Sequence, residues 1–86
     1  MESFAAGVSG TLTTLDGLVR SEEAEVVSVD GAAALRRRLM EAGFVTGSRV
    51  RFLMATPFGD PLVFSLRGTS IALRKNEARC VRVRGI

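Results

Sequence analysis

At 86 residues the chain has room for one domain with a thin core, and with five Phe but no Trp or Tyr that core must be built mostly from Val, Leu, Ile and Ala. One Cys and no His exclude the disulfide framework of a small secreted protein and most metal-ligating constellations, and a lone thiol fits a reducing compartment, so a cytoplasmic location is expected. The net charge of +3 hides an asymmetry: residues 1–30 carry one basic residue against six acidic ones, and residues 31–86 carry eleven against three. In one small domain these two parts are expected to pair in part with each other and to leave an Arg-rich surface suited to acidic partners, or simply to water.

No apolar run approaches the ~20 residues that span a bilayer, so the chain is not expected to be membrane-embedded. Met1 to Gly10 lacks a basic leader and a sustained apolar stretch, unlike a signal peptide. Residues 1–11 are read as a flexible tail and 12–86 as the folded domain.

In chain order, Thr11 to Leu18 reads as a short strand or a turn, with Asp16-Gly17 as the turn signal. Glu25 to Val29 is short and β-branched, and reads as a strand that ends at Asp30-Gly31. From there the period changes. Ala32, Leu35, Leu39 and Ala42 form one helical stripe, Asp30 stands where an N-cap would, and Gly43 followed by Phe44 marks the stop. Three successive arginines, Arg36 to Arg38, point about 100° apart round such a helix, so they do not make a nucleic-acid motif by themselves.

After a turn at Thr46-Gly47-Ser48, alternation resumes with Val50, Phe52 and Met54 inward and Arg49, Arg51 and Leu53 outward. Leu62, Phe64 and Leu66 repeat that pattern, Gly68-Thr69 makes a tight hairpin, and Ile71 and Leu73 point inward on the next strand. Lys75 to Ala78 has room for one 3₁₀ or α turn. Arg79 to Arg84 alternates Val81 and Val83 against Cys80, Arg82 and Arg84. The expected fold is mostly β: a small barrel of about five strands with one short α-helix.

Between the third and fourth of these segments lies Thr56-Pro57-Phe58-Gly59-Asp60-Pro61, whose two prolines exclude both a continuing helix and an internal strand. Phe58 has no inward partner in the alternation. It is either a plug folded back over the barrel end or an exposed apolar tip, and the plug is slightly favoured because single exposed apolar residues are common and prove little. Asp60, between Gly and Pro, is expected to organise its loop by accepting backbone N–H bonds. Alternation sends Arg74 to the outer face at the end of its strand, where it would pair with Glu77 or Asp60 or else contact a carboxylate on a partner.

The helix end Arg38-Leu39-Met40-Glu41-Ala42-Gly43-Phe44, the turn at Gly47, the loop from Thr56 to Pro61 and the run Ile71-Ala72-Leu73-Arg74-Lys75-Asn76-Glu77-Ala78 together resemble the FeoA family of bacterial ferrous-iron transport accessory proteins. The resemblance covers about residues 12–84. It implies an SH3-like barrel and, at family level, transition-metal association. It also implies a non-enzymatic role with the membrane transporter FeoB, whose cytoplasmic GTP-binding domain is the expected contact. Thr46 departs from that pattern, which commonly has a proline before the glycine, and Gly47 still permits the turn. Phe58, Gly59, Asp60 and Arg74 are the candidate partner-binding residues, and weak self-association is left open.

Other functions fare worse on residue chemistry. There is no Gly-x-x-x-x-Gly-Lys-Ser/Thr phosphate loop and no acid–base or nucleophile site, so neither catalytic residues nor a cofactor are expected. The related module of metal-dependent repressors would come with a helix-turn-helix, which this sequence lacks. A single-stranded nucleic-acid barrel could use Arg49, Arg51, Arg82 and Arg84 but has no Tyr or Trp for base stacking, so no nucleic acid is expected. Cys80 without imidazole or clustered carboxylates is a poor iron ligand, and no metal residues are assigned.

Overall fold

The computed structural model describes residues 10–19 and 21–86. Its elements are strand β1 (Leu12–Thr14), a 3₁₀ turn (Leu15–Gly17), β2 (Glu23–Val29), helix α1 (Ala33–Ala42), β3 (Arg49–Ala55), β4 (Leu62–Leu66), β5 (Thr69–Leu73), the one-turn helix α2 (Lys75–Ala78) and β6 (Val81–Gly85). All six strands form one antiparallel sheet in the order β1-β6-β2-β3-β4-β5. The sequence suggests about five. The sixth is β1, three residues long and too short to display an alternation of its own. Most of the expected tail lies outside the described residues; Gly10 donates to the Gly85 carbonyl and Thr11 accepts from the Gly85 N–H, at 2.7 and 3.0 Å.

One face of this sheet supplies most of the core: Val26, Val50, Leu62, Phe64, Leu66, Leu73, Val81 and Val83, joined by Leu15, Leu18, Leu39, Phe44 and Ala78. Residues on one face of one sheet can bury one another only if the sheet bends round on itself. Two irregularities assist the bend: an extra residue, Val27, in β2 opposite β6 and another, Leu53, in β3 opposite β4. Each such bulge sharpens the local twist of its strand.

The second bulge corrects the inward assignment of Met54. Alternation runs true through Val50 and the half-buried Phe52, but inserting Leu53 shifts the phase by one, so Met54 emerges 48% exposed and Leu53 turns half inward. Phe52 still packs on Phe64, ring centroids 5.5 Å apart. The β4–β5 turn also moves by one residue: it is Arg67-Gly68, with φ of 55° and 79°, and Thr69 already pairs with Leu66.

Helix α1 is less embedded than its stripe suggests. Leu39 is 1% exposed and Leu35 half-buried, whereas Ala32 and Ala42 are exposed, so the helix meets the sheet along little more than one turn. Nor does Asp30 cap it. Gly31 redirects the chain, Asp30 donates its N–H to the Cys80 carbonyl at 2.7 Å, and the N-cap is Ala32 without a side-chain bond. The stop is as expected: Gly43 is left-handed (φ 116°), a conformation that a Cβ disfavours, and the Phe44 N–H reaches the Leu39 carbonyl at 3.0 Å while its ring enters the core.

Because Leu39 is the helix's one fully buried residue, Leu39→Ala should remove about 2–5 kcal/mol of stability, a large share for so small a domain. Urea denaturation measures it. A loss near zero would mean that α1 does not seal the core.

Candidate functional site

The β3–β4 loop is built on a four-residue turn. Gly59 donates its N–H to the Thr56 carbonyl at 2.7 Å, which sets Pro57 and Phe58 at the two central positions. Pro is favoured at the first of these and Gly at the last, so the residue types suit the geometry. Thr56 N–H bonds to the Pro61 carbonyl at 3.2 Å and closes the neck, and the Asp60–Pro61 peptide is cis. Phe58, at the apex, is 96% exposed. Of the two alternatives, plug and exposed tip, it is the tip and not the slightly favoured plug: a turn this tight aims its second central residue away from the sheet.

Asp60 does accept a backbone N–H, but from outside its own loop. Its Oδ1 takes the Lys75 N–H at 3.0 Å. Lys75 opens α2, so its N–H is one of the donors that a helix start leaves without an internal partner. The carboxylate thus ties the loop to α2 across fifteen positions of sequence. Lys75 leans the other way as well, since a Cβ at Gly59 would lie 3.8 Å from its Nζ.

Arg74 is the residue before α2. Its N–H donates to Glu77 Oε1 at 2.9 Å, and Glu77 Oε2 is held by Arg38 of α1. The two carboxylates offered as internal partners for Arg74 are therefore engaged elsewhere. Among the described residues the Arg74 guanidinium makes no hydrogen bond or ion pair, and the side chain is exposed.

The structure thus brings Asp60 together with the residue beside Arg74, and carries Phe58 and Gly59 on the same tethered loop. Missed by alternation were Met54, exposed by the bulge one step before the loop neck, and Lys75, whose role rests on its main chain. No residue-type signal marks either.

Elsewhere the outer face of the sheet is charged, with Glu23 and Glu25 set among Arg49, Arg51, Arg82 and Arg84. Glu25 lies between Arg49 of β3 and Arg84 of β6, and Glu23 faces Arg51 with N···O 3.6 Å. Arg79 pairs with Asp16 at 3.6 Å. The acidic beginning of the chain therefore folds onto its basic remainder, and a phosphate backbone laid along these arginines would meet the two glutamates. On α1 a shallow groove is lined by Ala33, Met40 and Val45 beside Arg36, Arg37 and Glu41.

Among the described residues no three His, Cys, Asp or Glu side chains gather where they could hold a metal ion. Cys80 is half-buried, with Sγ 3.5 Å from the Asn76 carbonyl. No helix among the described residues is long and apolar enough to cross a membrane.

Comparison with known proteins places this architecture. A solution structure of FeoA from Chlorobium tepidum superposes with a TM-score of 0.81 at 36% identity, covering 86% of this chain and 70% of that one. The crystal structure of Stenotrophomonas maltophilia FeoA complexed with zinc, a prokaryotic SH3 domain protein, is 43% identical with a TM-score of 0.74, covering 83% of this chain and 88% of that one. A fusion of Fe(2+) transport protein A with the Fe(2+) transporter FeoB in Porphyromonas gingivalis is 29% identical over 69 residues, which are 80% of this chain and 8% of the fusion protein. The family model of the FeoA domain matches residues 13–85. On fold and sequence together, the chain belongs to the FeoA family, non-enzymatic accessory domains linked to ferrous iron transport.

Proposed function

We propose that this chain is a protein-interaction module of ferrous iron uptake that docks on the cytoplasmic GTP-binding domain of a FeoB-type transporter through the β3–β4 loop and Arg74. Residues 12–86 are the working unit, acting at the cytoplasmic face of the membrane. The observation that carries this reading is the Porphyromonas gingivalis fusion, in which a counterpart of this domain is covalently part of a FeoB chain. A module that works beside its partner has reason to be joined to it.

The geometry supports the choice of surface. Phe58 exposes almost its whole ring on a loop that is held at both ends, and among the described residues nothing pairs with the exposed Arg74 guanidinium. An aromatic side chain on a tethered loop and an arginine beside it are residue types that concentrate binding energy at protein interfaces. Zinc is a property of the Stenotrophomonas protein; among the described residues of this chain no three His, Cys, Asp or Glu side chains gather where they could hold a metal ion.

Calorimetric titration against the transporter's isolated cytoplasmic domain tests the reading. Phe58→Ser and Arg74→Ala should each change folding stability by no more than about 0.5 kcal/mol, since both side chains are exposed. Each should weaken binding by about 2 kcal/mol or more, close to thirtyfold. Unaltered affinity in both variants would refute the assignment.

Asp60 acts at one remove. Asp60→Ala leaves the Lys75 N–H without its acceptor and should cost ~0.5–1.5 kcal/mol of stability while weakening binding, whereas Asp60→Asn keeps an acceptor oxygen and should restore most of both. Thermal melts and the same titration read the two effects. An Asn variant as impaired as the Ala variant would show that charge, not the tether, matters.

A further inference from the structure

The two edges of the sheet are protected to different degrees. β1, at one end, is three residues long. β5, at the other, has five, Thr69-Ser70-Ile71-Ala72-Leu73, and pairs with β4 in unbroken register. Edge strands are usually blunted by shortness, proline, lysine or a bulge, because their unpaired N–H and C=O groups otherwise template another strand. β5 has none of these devices within it. Beyond β4, no element makes an extensive contact with it among the described residues.

Which groups face out follows from the turn. Arg67 and Gly68 both have positive φ, the two-residue hairpin geometry in which the closing pair, Leu66 and Thr69, exchanges hydrogen bonds. Alternation along an antiparallel pair then bonds Ile71 to Phe64 and Leu73 to Leu62, and leaves the N–H and C=O of Ser70 and Ala72 pointing away from β4. Ser70 and Ala72 are exposed and have small side chains, which let another backbone approach.

Charge decides what can occupy this edge. Arg67 precedes β5 and Arg74 follows it; both are exposed and neither has an ion-pair partner among the described residues. A second copy added antiparallel would bring Arg67 of one chain to Arg74 or Lys75 of the other, like against like, at both ends of the new ladder. A segment with a carboxylate toward each end meets both arginines. The extended stretch from Thr69 to Arg74 spans about 17 Å at ~3.3 Å per residue and Arg67 lies in the turn just beyond it, so a segment of about seven or eight residues reaches both.

We propose that the free edge of β5 takes up an extended, acid-ended segment of a partner protein as a further strand, with Arg67 and Arg74 selecting it by charge. This rests on the reading that Arg74 faces a partner, and adds how the partner is held: main-chain bonds supply attachment, and the two guanidiniums supply register.

The test uses the ¹⁵N-labelled full chain and a capped eight-residue peptide alternating valine and threonine, with glutamate at both ends; a control peptide has lysine at both ends. At saturating glutamate peptide, amide exchange at Ser70 and Ala72 should slow about tenfold or more, while Ile71 and Leu73, already bonded to β4, stay unchanged. The lysine peptide should have no effect. Arg67→Glu combined with Arg74→Glu should reverse that preference, and Ala72→Pro, which removes an outward donor, should abolish binding with the fold intact by thermal melt. Should the proline variant fail to fold, the charge reversal decides. No slowing at Ser70 and Ala72, equal slowing by both peptides, or slowing that grows with protein concentration alone would overturn the proposal, the last in favour of a second copy. Transporter-domain binding sensitive to Phe58→Ser is read separately, so loss of the edge mechanism and loss of the transporter reading remain distinct outcomes.

Discussion

Where the β4–β5 ladder ends at Leu62 and Leu73, one hydrogen bond extends the link from the loop to α2: the Asp60 carboxylate on the Lys75 N–H. On one side of it lies the loop that carries Phe58, and on the other the start of α2, beside Arg74. The same small helix is anchored from behind, because Glu77 takes the Arg74 N–H and is itself held by Arg38 on α1. A polar chain therefore runs from α1 through α2 to the loop tip. Its bonds are exposed, and each contributes modestly to stability, about 0.5–1.5 kcal/mol at most. What they confer is position. A loop held before it meets its partner loses less conformational freedom on binding than one that must be ordered at that moment.

Beneath this surface the sheet provides rigidity with few resources. No Trp or Tyr is available, α1 contributes one fully buried side chain, and the core closes because bulges in β2 and β3 bend the sheet onto itself. The same bulge that bends β3 also releases Met54 to the surface just before the loop. Curvature and apolar exposure near the loop thus share one cause. Part of the charge asymmetry of the chain is balanced within the fold, where Glu23, Glu25 and Asp16 lie against Arg51, Arg49, Arg84 and Arg79; among the described residues Arg67 and Arg74, at the ends of β5, have no ion-pair partner.

Much of this was legible in residue order, and the exceptions have physical reasons. Period-2 alternation identifies β4, β5, β6 and the first half of β3, and Gly43 ends α1 where a left-handed residue is needed. Alternation cannot register a bulge, because one inserted residue reverses every later assignment without altering composition; Met54 was misplaced for that reason. Thr11 to Leu18, read as a strand or a turn, contains both, because three residues carry no period to separate them; Leu15 and Leu18 are buried by the 3₁₀ turn and the chain that follows it. Asp30 has the chemistry of a cap, but Gly31 redirects the chain before the helix begins. At the site, the loop's Pro, Gly and Asp were recognisable as a turn and as a family pattern. The tether was not: Asp60 and Lys75 are fifteen positions apart, and one partner contributes only its main chain.

The proposed docking surface is formed by the loop tip and the strand end before α2. Cross-saturation from the transporter's unlabelled cytoplasmic domain to this chain, deuterated and ¹⁵N-labelled, reports which amides lie at the interface. Attenuation should concentrate at Phe58, Gly59 and Arg74. Attenuation confined to the α1 groove, at Ala33, Met40 and Val45, would contradict it.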